Sequence, residues 1–153
     1  MKTFSSDAGI RVHILALEPG EYVLESIMKL IEAEGIRTGA VVSGIGTLDY
    51  CIMHMGQRVG NIIQTWEDTP LELVGMQGVI ADGKTHIHAV VSDKQSAVSG
   101  HPHEGCRVMW VCEIVIHEYV GFDLERTPIP NIPNKEILSE KGAAAQSAAP
   151  KSS

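Results

Sequence analysis

Leu71-Glu72-Leu73-Val74-Gly75-Met76-Gln77-Gly78-Val79-Ile80-Ala81-Asp82-Gly83-Lys84-Thr85-His86-Ile87-His88-Ala89-Val90-Val91-Ser92 is the stretch that decides the fold. Two largely apolar runs, Leu71 to Ala81 and Lys84 to Ser92, flank Asp82-Gly83. Asp-Gly between such runs is a strong signal for a two-residue β-hairpin. In the second arm Ile87, Ala89 and Val91 fall on one face, because side chains alternate along a strand. That face reads as core. His86 and His88 share the other face with Val90 and Ser92, which is half polar and suits a pocket or an interface.

Outward from this hairpin the pattern stays mostly β. Ile10 to Leu17 alternates loosely and reads as a first strand, broken by Glu18-Pro19-Gly20. Glu21 to Glu34 turns helical, with Leu24, Ile27, Met28 and Ile31 on one stripe. Glu21 and Glu25 lie near its start, where the helix dipole favours anions, and Gly35 is a natural terminator. Gly39 to Ile45 and Leu48 to Met55 read as two strands joined near Gly46-Thr47. Ser92 to Ser96 is a polar turn, Ala97 to Gly100 a short return, and Cys106 to Tyr119 a long β-rich run. One clear helix among hairpin-connected strands predicts an α+β fold, a compact single domain with a largely antiparallel sheet. Beyond Arg126, Pro128, Pro130 and Pro133 prevent a regular central strand. Glu136 to Lys141 is expected to form a helical turn, and Gly142 to Ser153 a disordered tail.

The 153 residues are 44% hydrophobic and 20% charged, an ordinary globular composition, with a net charge of −7. The basic residues are scattered, which argues against a bare electrostatic nucleic-acid surface. The N-terminus has no signal-peptide core and no segment is long and apolar enough to span a bilayer. Cys51, Cys106 and Cys112 form no C-x-x-C motif and read as small buried hydrophobes. A reduced, cytoplasmic, soluble protein without membrane contact is expected.

The histidines carry the chemistry. His86-x-His88 alone is a short motif that two solvent-facing histidines would satisfy equally well. Gly100-His101-Pro102-His103 sharpens it. If the turn centres near residues 94–95, His101 returns beside His88 and three imidazoles converge. Three neutral imidazoles around an open position suit a divalent metal, most often zinc. His103 reads as hydrogen-bonding support for a ligand, because closed four-histidine sites are uncommon. His13, His54 and His117 show no comparable clustering and read as surface or sheet-edge residues. For catalysis Glu72 is the favoured carboxylate, with Glu113 as the other candidate. Either could act as general base on a metal-activated water, and either could be a plain surface carboxylate. Gly44-x-Gly46 lacks the third glycine and following helix of a dinucleotide fingerprint and reads as a bend.

The segment Glu21–Gly35, then Ile36-x-x-Gly39-Ala40-Val41-Val42-Ser43-Gly44-Ile45-Gly46, Pro70-Leu71-Glu72-Leu73, Gly78, Asp82-Gly83, His86-x-His88, Ser92-Asp93 and Gly100-His101 resembles the PPC domain family, also called DUF296 or PD1-like DNA-binding domain. The resemblance spans roughly residues 9–119. It departs from the usual G-G-H-L at Ser99 and Pro102. It implies a domain over residues 1–125 followed by an extension, 126–153. It also implies a homotrimer, and a metal, zinc foremost, on His86, His88 and His101. The plant relatives pair this domain with an Arg-Gly-Arg-Pro segment for A/T-rich DNA, and this chain has none. Three functions remain open: a metal-dependent hydrolase or lyase, or ligand-binding protein, acting on a small molecule; a DNA-associated regulator; and a structural trimerisation module.

Overall fold

The Asp82-Gly83 hairpin forms as the sequence predicts. Both residues adopt positive φ, 52° and 73°, and Ala81 pairs with Lys84. The structure, a computed structural model, describes residues 1–7, 9–57 and 60–141; the tail expected to be disordered lies outside the described residues. In chain order the elements are β1 (Gly9–Leu17), α1 (Val23–Glu34), β2 (Thr38–Gly56), β3 (Asn61–Ala81), β4 (Lys84–Ser92), β5 (Ala97–Pro102), β6 (Arg107–Val120), β7 (Leu124–Pro128) and β8 (Glu136–Glu140). β1 to β6 form one antiparallel sheet in the order β1-β6-β2-β3-β4-β5. Its last strand, β5, also pairs with the far end of β2, Met53 opposite Pro102 and His54 opposite His101. The sheet therefore curls until β2, β3, β4 and β5 meet in a ring.

β2 is a single 19-residue strand, not the two expected. The bend at Gly44-x-Gly46 is absorbed by register shifts between Val41 and Ser43 and between Gly46 and Leu48. Gly46 permits this, because a Cβ there would lie 2.4 Å from the Val111 carbonyl oxygen. Glycine lets β6 cross close to β2 without breaking the ladder. β3 likewise extends back to Asn61, with Pro70 inside it.

The core is aliphatic. Ile27 and Ile31 of α1 pack with Val41, Met53, Ile80, Ile87, Val91, Ile114 and Ile116 inside the curled sheet. Ile87, Ala89 and Val91 are all buried, so the two faces of β4 are assigned as the alternation predicts. The buried stripe of α1 is Val23, Ile27 and Ile31, with Met28 exposed. No side chain caps the helix start; its first amide, Val23 N–H, donates to the Cys106 carbonyl at 2.9 Å. Gly35 ends it with φ 65°.

Glu136–Lys141 is not helical. Glu136–Glu140 forms β8, paired antiparallel with β7 from Leu124↔Glu140 to Pro128↔Glu136. β-branched Ile137 and the Thr127–Ser139 hydroxyl pair (2.7 Å) favour the ladder, and so short an isolated helix has too few hydrogen bonds to nucleate. This second, two-stranded sheet is fixed at its base. Leu124 N–H donates to Thr38 Oγ1 (2.9 Å), and Asp82 N–H donates to the Leu124 carbonyl (2.8 Å).

Candidate metal centre

The β4–β5 turn is short because Asp93 organises it: its Oδ1 accepts from Gln95 N–H (2.7 Å) and Ser96 N–H (2.8 Å). β5 then runs back with Ala89 opposite Gly100. One further residue sets His101 beside His88, with ring centroids 4.1 Å apart. One nitrogen from each of His86, His88 and His101 lies within 4.8 Å of the others. The structure thus brings the three sequence-predicted histidines together on the outer face of the sheet.

The donor set fits a divalent cation. The Nε2 atoms of His86 and His88 are 3.3 Å apart. Two nitrogens bound to zinc at about 2.0–2.1 Å in a tetrahedron stand about 3.3 Å apart. Two of the three imidazoles are biased toward the neutral, ligating form. His101 is pushed down to about 4, first by burial and then by the neighbouring charges of His88, His54 and His86. His86 is lowered by burial, then by the positive charge of Arg126. That bias at His86 and His101 favours cation binding over protonation.

His54 corrects the reading that left it outside the cluster. Its place opposite His101 in the β2–β5 ladder stacks the two rings, 4.5 Å apart and 7° from parallel. His86 stacks on the other side of His101, 5.1 Å away at 9°. His103 does not reach the three; its Nε2 shares a hydrogen bond with His54 Nδ1 at 2.7 Å. The β2–β5 closure was the missing information, because it joins residues 47 positions apart and leaves no local periodicity. His13 is engaged elsewhere, with Glu118 at 3.1 Å.

The two candidate carboxylates stand apart from the histidines. Glu72 lies opposite Ser92, four residues along β4 from His88, which is about 13 Å of strand. Glu113 is exposed on β6, three strand spacings from β4, or about 14 Å.

A cleft of about 950 Å³ opens over the histidines, with His86, His88 and His101 on one wall. The opposite wall is the β7–β8 hairpin and its turn, including Arg126, Ile132 and Lys135.

Residues 4–120 match the Plants and Prokaryotes Conserved (PCC) domain. The chain belongs to this family. Solved structures share its fold. A plant- and prokaryote-conserved protein from Pyrococcus horikoshii is 26% identical, covering 85% of this chain and 92% of its own, with a TM-score of 0.71. A metal-containing protein from Archaeoglobus fulgidus is 22% identical over 83% of this chain and 91% of its own, TM-score 0.71. A conjectured DNA-binding protein from Bacteroides thetaiotaomicron is 16% identical over 88% of this chain and 99% of its own, TM-score 0.74. Among curated proteins, the bifunctional protein GlmU of a Synechococcus strain is 25% identical over 142 residues, 92% of this chain. The chain spans about a fifth of the length of that relative, 22%. Among the described residues, no helix is long and apolar enough to cross a membrane. The PCC match ends before β7, so the hairpin over the cleft lies outside the matched segment.

Proposed function

We propose that this PCC-domain chain binds a divalent metal, zinc foremost, through His86, His88 and His101, and that the bound metal serves a small-molecule ligand in the cleft above it. The 3.3 Å spacing of the His86 and His88 Nε2 atoms, facing one another with His101 beside them, carries the reading. When bound, such an ion supplies Lewis-acid chemistry, which suits a hydrolase or lyase. The protein's own contribution is orientation: β4 and β5 present the three rings from a rigid ladder, and His54 stacks behind His101. Glu72 enters as a general base only if a ligand or a neighbouring copy bridges its separation from His88.

Self-association as a homotrimer belongs to the same proposal. Its support is an apolar outer sheet face: Ile10, Val12 and Ile14 on β1, Val42 and Ile45 on β2, and Val111 on β6 are all exposed in the single chain. A face of this extent is a common mark of a contact between copies. Sedimentation analysis of Ile14→Asp checks it, with a shift to monomer expected.

DNA association is the second reading, favoured by the role conjectured for the Bacteroides neighbour. The net charge of −7 opposes it, and Arg11, Arg37 and Arg107 are each tied to carboxylates. The test is elemental analysis of protein purified without a histidine tag. About one metal per chain is expected, lost in the His86→Ala/His88→Ala variant; below about 0.2 per chain the metal reading fails. Salt-sensitive retardation of duplex DNA would favour the second reading.

A further inference from the structure

Arg126 differs from the other described arginines. Arg11 pairs with Glu118, Arg37 with Asp82, and Arg107 with Asp49 and Asp68. Among the described residues Arg126 has no carboxylate partner, and its Nη2 is shut off from solvent with no hydrogen-bond acceptor. A guanidinium carries five donors and no acceptor, and a buried donor left unsatisfied is costly. Lys135, across the same hairpin, likewise makes no ion pair among the described residues, while Lys141 at the hairpin's base pairs with Asp82. Arg126 and Lys135 both line the cleft that holds His86, His88 and His101. Glu136 lines it too, and forms an ion pair with neither cation among the described residues. Two cations without an ion pair among the described residues therefore stand over the three histidines in a chain whose net charge is −7.

We propose that Arg126 and Lys135 form an oxyanion subsite, so that the small molecule taken by the cleft carries a carboxylate or phosphate group. Arg126 supplies its guanidinium charge from the hairpin wall, and Lys135 adds a point charge from the turn. The rest of the molecule then projects toward the histidines. The subsite belongs to the β7–β8 hairpin, outside the residues that match the PCC domain, so it is a property of this chain's extension. The inference deepens the metal reading by naming the substrate class, and it rests on that reading for what happens at the histidine end.

Calorimetric titration of the full chain with inorganic phosphate and, separately, malonate tests it, with and without added zinc. Binding of at least one anion is expected, weakened about tenfold or more by Arg126→Gln and several-fold by Lys135→Gln, with Arg126→Lys intermediate. Zinc stoichiometry should stay unchanged in all three variants. The preferred anion identifies the group. Failure of wild-type protein to bind either anion overturns the proposal. So does binding within twofold of wild type in both Gln variants, which would place the anion on the metal alone. Loss of anion binding in Arg126→Gln from a chain that takes up no zinc keeps the subsite and removes the metal reading. Exposed Lys135 guards against a folding artefact, since its substitution removes no buried contact.

Discussion

Two hairpins meet across the cleft, and they are held by different forces. The β4–β5 hairpin is one turn of a six-stranded sheet; opposite its histidines it buries Ile87, Ala89 and Val91 in the core. The β7–β8 hairpin is a two-stranded sheet that buries Leu124 at its base and leaves Ile132 and Ile137 exposed. A two-stranded ribbon on its own is marginally stable in water. The first hairpin can hold ligand nitrogens at fixed spacing. The second is tied to the rest of the chain by hydrogen bonds at its base.

The largest expected effect is on stability. Ile80→Ala, at a fully buried position of β3, should cost about 2–5 kcal/mol, while Ile132→Ala in the hairpin turn should stay within about 0.5 kcal/mol. Urea unfolding of both variants measures this, and equal losses would erase the distinction between the two hairpins. Next comes metal affinity. His101→Ala should weaken zinc binding more than about 100-fold, and His103→Ala no more than about 10-fold, since His103 reaches the centre only through His54. Competition with a chelating dye separates the two; similar losses would make His103 a ligand.

A third effect is pH dependence of the metal-free chain. His101 has a folded value of about 4, below its ordinary 6.5, and His86 and His54 are lowered in the same direction, chiefly by burial. The unfolded chain therefore binds more protons between these values, and stability falls as pH drops from about 6.5 toward 4. Denaturation midpoints at pH 7, 5.5 and 4.5 should decline, and His101→Ala should flatten the slope. An unchanged slope in that variant would take His101 out of the account. The smallest effect is at the hairpin's base, where Asp82→Asn weakens the contacts to Arg37 and Lys141. These groups are substantially exposed, so a loss of about 0–1 kcal/mol is expected in thermal unfolding.

The same contrast explains what the sequence discloses. Asp82-Gly83 and the alternation through Ile87, Ala89 and Val91 are local signals, and they place β3, β4 and both histidines correctly. His101 is reached by counting back from a polar turn. His54 is reached by no such count, because only the curling of the sheet brings β2 against β5. Of the helix stripe Leu24, Ile27, Met28 and Ile31, Met28 is exposed, and α1 turns Val23 inward as well, with its first turn tied by backbone to Cys106. The proline-rich extension hid its strands because β7 and β8 support one another and little else. Arg126 has no signal in the sequence: its lack of a carboxylate partner among the described residues exists only in three dimensions.

The Asp82 turn has a further consequence for the rates at which the molecule opens. Its amide hydrogen is bonded to Leu124, so the turn that launches the strand of His86 is also the bolt of the cleft's far wall. That hydrogen can exchange with solvent only when the bolt is drawn. A ligand spanning both walls must slow its exchange by the factor that binding adds to the closed state, about 100-fold at a concentration 100 times the dissociation constant. One backbone proton in the turn thus keeps time for the cleft.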